Sequence, residues 1–96
     1  LSQLERAIAL FREAVDVRAE LSGPEHERTI SLRVRLADTL VRANQKSEAE
    51  QILRAAIDTA ERTLGADHPV AFYAINSYAV LLMNSERFAE AAPGLR

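Results

Sequence analysis

Leu64-Gly65-Ala66-Asp67-His68-Pro69 breaks one run of helical periodicity and starts the next. Before it, Ala49, Ile52, Leu53, Ala56, Ile57, Ala60 and Leu64 recur at intervals of three and four, which places them on one helical stripe. Gly65 supplies the stop, because glycine adopts the left-handed backbone that ends many helices. Asp67 reads as an N-cap for the following helix, and Pro69 falls in its first turn, where a missing N–H costs nothing. The same break occurs once earlier, at Gly23 and His26, 42 positions upstream of Gly65 and His68.

A shift of 42 aligns much more than the break. Gln3/Gln45, Ala7/Ala49, Arg12/Arg54, Ala14/Ala56, Asp16/Asp58, Ala37/Ala79, Leu40/Leu82, Glu48/Glu90, Ala49/Ala91, Leu53/Leu95 and Arg54/Arg96 are also identical. In all, 13 of the 54 pairs that a chain of 96 residues offers at that shift are matched, well above chance for this composition. The matches fall where helix packing needs them: Ala at close contacts, Leu in the core, Gly at the turn. A fixed period in this range marks stacked repeats, each unable to bury its own apolar face.

The rest of the chain fits long helices. One stripe runs through Leu4, Ala7, Ile8, Phe11, Ala14, Val15 and Leu21, opened by Ser2 and Glu5 at capping-box spacing. A second helix, about Glu27 to Ala43, carries two stripes: Leu32, Leu36, Leu40 and Ala43, and Ile30, Val34, Ala37 and Val41. So wide an apolar surface implies neighbours on two sides. The third helix, about Ser47 to Leu64, carries Glu50/Arg54 and Asp58/Arg62 at i,i+4 spacing, each worth a few tenths of a kcal/mol. A fourth spans about Pro69 to Met83, and a fifth begins near Glu86 and meets Pro93-Gly94. Three Gly and three Pro are too few for the turns of an all-β domain. The fold class is therefore all-α, an α-solenoid of antiparallel helix pairs.

Composition excludes several functions. Apolar residues make up 48% and charged residues 27%, ordinary for a globular chain, and the net charge of −2 lacks the basic excess that a phosphate backbone demands. Without cysteine there is no disulfide, thiolate zinc site or thiol chemistry; a reducing compartment, the cytoplasm, fits. The longest apolar run, Ala79–Met83, is far short of the ~20 residues that span a bilayer. The chain opens on Leu1 without Met and is read as an excised segment of something longer.

Leu64-Gly65-Ala66-Asp67-His68-Pro69 followed by Tyr78-Ala79, Arg87-Phe88, Glu90-Ala91 and Leu95 resembles the tetratricopeptide repeat in its longer form, of which kinesin light chains are the best-known carriers. The earlier copy repeats Gly23, His26, Leu36-Ala37, Glu48-Ala49, Leu53 and Ala56, and a half-copy before it shows Ala7, Phe11 and Ala14. It departs from the pattern at Glu25 and Glu27, which flank His26, and at Lys46, which stands where the later copy has Phe88. The resemblance divides residues 1–96, a single domain, into a B helix (1–22), a full repeat (25–64) and a repeat with a truncated B helix (67–96).

It also implies a function. In such arrays the A helices line a concave groove that holds protein or peptide ligands. That groove would take Val34, Arg35, Asp38, Val41 and Arg42 from the second helix, and Tyr73, Asn76, Ser77, Val80, Met83 and Asn84 from the fourth. Of these, Arg35, Asp38, Arg42, Tyr73, Asn76 and Asn84 are the candidate binding residues. Arginines pair with carboxylates, amides bond a peptide backbone, and Tyr73 and Met83 add apolar contact. In kinesin-light-chain-like arrays an Asn near the place of Asn76 grips the backbone of an extended peptide. The alternative for these residues is a solvated helix face with the valines partly in the core.

His26 and His68 are repeat equivalents, too far apart for one metal ion at ~2.1 Å and suited instead to cap the turns. No phosphate-binding glycine loop and no nucleophile with a neighbouring base occurs, so no catalysis, cofactor or metal is expected. The leading expectation is a non-catalytic scaffold that binds a peptide or partner helix, with neither nucleic acid nor membrane as partner. The alternative is a structural arm or oligomerisation segment of a multidomain signalling protein. Since about three stacked copies make a robust array, the chain should be marginally stable or self-associate through apolar end helices.

Overall fold

The computed structural model describes residues 2–83. Within them lie four helices and no strand: α1 (Gln3–Ser22), α2 (Glu27–Arg42), α3 (Lys46–Thr63) and α4 (Pro69–Met83). The expected fifth helix and Asn84 lie outside the described residues.

Local chemistry starts α1, α2 and α4 and ends α1 and α3. At Ser2 the hydroxyl accepts from the Glu5 N–H at 3.1 Å and the Glu5 carboxylate accepts from the Ser2 N–H at 3.0 Å, the expected capping box. Gly23 and Gly65 end α1 and α3 with φ of 97° and 99°, a backbone that other residues adopt only with strain. The two restarts are built alike. Nδ1 of His26 accepts from the Arg28 N–H at 3.1 Å, and Nδ1 of His68 accepts from the Val70 N–H at 3.1 Å. The histidines thus cap the turns, as their repeat equivalence suggests. The cap of α4 is His68, one residue later than the sequence assigns to Asp67. Physically, Nδ1 stands as far from the backbone as an Asn or Asp oxygen does, so imidazole substitutes for the usual acceptor.

Loops of a few residues make successive helices antiparallel neighbours. α2 is the hub, packing against α1, α3 and α4, while α3 also packs against α4. The backbones of α1 and α4 do not approach each other closely, so the described helices do not close around one centre. Extents of 45 × 37 × 16 Å describe a thin slab, as an open stack requires.

The core follows the sequence stripes. Ile30, Val34, Ala37, Leu40, Ala49, Leu53, Ala60, Ala71 and Ala74 are wholly buried. The many alanines let helix axes approach to the ~8–10 Å of close packing. Thr29, buried among them, donates its hydroxyl to the Gly23 carbonyl at 2.8 Å, tying the start of α2 to the end of α1. Among the described residues no buried side-chain polar atom lacks a partner.

Charged side chains tie the elements together. Arg12 of α1 forks onto Glu48 of α3 with bonds of 2.7 and 2.9 Å, joining one repeat to the next, and within the full repeat Arg62 reaches Glu25 at 3.0 Å. Each partner holds the other ionised: the Glu48 carboxyl sits below its ordinary value, and the Arg12 guanidinium above its own, chiefly through their shared hydrogen bonds. His68 uses both ring nitrogens: while Nδ1 caps α4, Nε2 lies 3.2 Å from Glu27 at the start of α2. A neutral imidazole with its proton on Nε2 serves both contacts. The i,i+4 pairs form as the sequence implies, Glu50–Arg54 at 3.1 Å and Asp58–Arg62 at 3.9 Å.

Candidate functional site: the groove between α2 and α4

α2 and α4 lie side by side, and the seam between them opens into a cleft of about 330 Å³. Asp38, Val41 and Arg42 form the α2 wall; Tyr73, Asn76, Ser77, Val80 and Leu81 form the α4 wall. These positions recur at three and four along each helix, so the cleft follows directly from which arcs the core leaves free.

Asp38 is its polar centre. Its Oδ2 accepts from the Tyr73 hydroxyl at 3.3 Å and from the Ser77 hydroxyl at 3.5 Å. Both are long for O–H···O bonds, so the carboxylate is held loosely and keeps acceptor capacity for a ligand's N–H. Burial, followed by the nearby Asp38 charge and the hydrogen bond to it, raises the Tyr73 phenol above its ordinary pKa; Arg35 pulls the other way. Each of these causes except Arg35 favours the neutral phenol, a donor at any moderate pH.

The expected site residues divide. Asp38, Arg42, Tyr73 and Asn76 come together in the cleft. Val41, Ser77 and Val80 line it too. Val34 does not, because it is completely buried in the core. Met83 is 55% exposed beyond the lining. Arg35 lines a different cleft, of about 270 Å³ between α1 and α2, together with Arg18, Arg28, Ser31 and Leu32. The sequence reading passed over Leu81 of the groove and the partners of Arg35. The available signal was the spacing of Arg28, Ser31, Leu32 and Arg35, at i, i+3, i+4 and i+7 on one helix face.

Among the described residues, no cluster of three or more His, Asp or Glu side chains could hold a metal, and no helix is long and apolar enough to cross a membrane. A family model for the tetratricopeptide repeat matches residues 1–62, which span α1, α2 and nearly all of α3. Comparison with curated proteins finds no match.

Proposed function

Since the chain belongs to the tetratricopeptide repeat family, whose members typically serve as non-catalytic modules for protein–protein interaction, we propose that it is a scaffold that takes a peptide or partner helix in the α2–α4 groove. The observation that carries this reading is the convergence of Asp38, Arg42, Tyr73 and Asn76 over an apolar floor of Val41, Val80 and Leu81. Such a mixture suits an extended peptide. Asp38 and Asn76 serve its backbone, Arg42 an acidic side chain, and the floor an apolar one. The 42-residue period favours the kinesin-light-chain-like form of the repeat. A half repeat over 1–22, a full one over 25–64 and another from 67 onward is the matching division of the chain, and the absence of cysteine suits a cytoplasmic setting.

Selection from a random peptide library displayed against the full chain would supply ligands. Fluorescence anisotropy would then compare wild type with the triple variant Arg42→Ala, Tyr73→Ala, Asn76→Ala, its fold checked by circular dichroism. A loss of affinity of tenfold or more is expected for the selected ligands. Unchanged affinity removes the groove from the function.

One observation favours a second reading, an arm that self-associates. Leu10, Val17 and Leu21 of α1, and Phe72, Ile75 and Met83 of α4, are exposed apolar side chains at helical spacing. Sedimentation of wild type and of Leu10→Lys with Val17→Lys tests it. Association that the lysines abolish supports an oligomerisation segment; a concentration-independent monomer opposes it.

A further inference from the structure

α1 and α3 both pack on α2, but their backbones stay apart, and the slot left between them over α2 has a volume of about 300 Å³. Val15 of α1, Leu36 of α2, and Ile52 and Ala55 of α3 make it apolar, with Arg33 and Gln51 as its polar members. The fork of Arg12 onto Glu48 crosses from α1 to α3 one helical turn before Val15 and Ile52, and so spans one end of the slot. The three framing helices are consecutive. At the repeat equivalent of Arg33, Ile75 is 40% exposed although α2 packs against α4. A helix stacked on α2 as α2 is stacked on α4 would therefore leave Arg33 uncovered.

The second copy shows what the matching place accepts. The equivalent of Leu36 is Tyr78, whose hydroxyl accepts from Nε of Arg54 at 3.1 Å and whose ring centroid lies 5.8 Å from that guanidinium. Arg54 is itself the equivalent of Arg12. Where α4 sends a phenol ring toward α3, α2 stops at a leucine, and space for a ring remains beside α1. A cavity of ~150 Å³ already admits benzene, so this slot holds one ring with a substituent and is too small for a helix. Arg33 supplies the charge. Its Nη1 donates to a neutral group, the Pro24 carbonyl, at 3.2 Å, and among the described residues no carboxylate is within ion-pair distance of it. Glu25, beside Pro24, is engaged by Arg62 at 3.0 Å.

From these observations we infer that the α1–α3 slot, separate from the α2–α4 groove, binds a small aromatic carboxylate. The ring lies over Leu36 between Val15 and Ile52, in the place that Tyr78 takes in the next copy. Its carboxylate meets Arg33, whose planar guanidinium matches a carboxylate in a two-bond fork. Each half of the ligand answers one half of the slot. A bare anion would leave the apolar walls wet, and a neutral ring would leave Arg33 without a counter-charge.

The test uses the full chain, labelled with nitrogen-15, and titrates it with benzoate while amide chemical shifts are followed. Benzamide, which keeps the ring but lacks the charge, and acetate, which keeps the charge but lacks the ring, are separate probes. Benzoate should give saturable shifts at Val15, Leu36, Ile52 and Ala55, with an affinity that falls as salt rises, and the other two should bind at least tenfold more weakly. Ala55→Phe, which puts a ring into the slot from an exposed position, and Arg33→Gln should each weaken benzoate at least tenfold. Arg42→Gln, in the groove, should leave it unchanged. An unchanged urea midpoint establishes that the variants fold. Three results overturn the inference: benzoate produces no saturable shift at the slot; its binding survives Ala55→Phe or is lost on Arg42→Gln; or acetate or benzamide binds as tightly, so that the slot reads charge alone or ring alone.

Discussion

Replacing Leu53 and Leu10 in turn by alanine tests whether the helices form an open stack. Leu53 on α3 is wholly buried, whereas Leu10 on α1 is 66% exposed. Truncating Leu53 removes three carbons, ~2.4 kcal/mol at about 0.8 kcal/mol each, and the cavity left behind raises the total to ~3–5 kcal/mol. At Leu10 the same carbons are mostly in water already, so the loss should be below ~1 kcal/mol. A domain of this size has a total stability of ~4–12 kcal/mol, so the first substitution takes a large fraction of it and the second almost none. Urea unfolding followed by far-ultraviolet circular dichroism, at a concentration where sedimentation gives a monomer, reads both. The midpoint should fall sharply for Leu53→Ala and hardly at all for Leu10→Ala, with the slope unchanged in each. Equal costs would mean that Leu10 is as deeply packed as Leu53, which holds for a closed bundle and not for a stack.

Two further outcomes are expected. Gly23→Ala and Gly65→Ala should each destabilise by ~1–3 kcal/mol in the same urea assay, because no atom lies within 4 Å of an added Cβ and the strain comes from φ near +98° alone; a large difference between them would break the structural equivalence of the two turns. In a Tyr78→Phe background, absorbance titration should place the Tyr73 phenol above its ordinary value of 10, and Asp38→Asn should bring it down. Because the folded pKa is the higher one, this stabilisation is complete below pH ~10 and lost as pH rises through the raised value.

How much of this was legible in advance depended on range. Helices, turns and the 42-residue period rest on contacts a few positions apart, and Gly23, Gly65, Ser2 and Glu5 carry them in plain sight. Links across the stack do not. Arg12 and Glu48 are separated by 36 positions and Arg62 and Glu25 by 37, and neither pair differs in local pattern from a solvated charge. Val34 and Arg35 show the same limit within one helix. Both stand close to the arc that carries Asp38 and Arg42, but packing between helices decides that Val34 is core while Arg35 is exposed beside Tyr73 at the edge of the cleft against α1. The cap at His68 was half legible: identity with His26 pointed to it, and the stronger average preference for Asp pointed to Asp67.

The position of α2 explains why both clefts exist. Three helices cover it, so its remaining free arc is narrow, and every exposed polar side chain it carries must share that arc. Asp38 and Arg42 fall on the side toward α4 and Arg28 and Arg35 on the side toward α1. The α4 side of the helix thus carries one charge of each sign, and the α1 side two positive charges. Tyr73 stands between them, held neutral by burial and by Asp38 and opposed by Arg35.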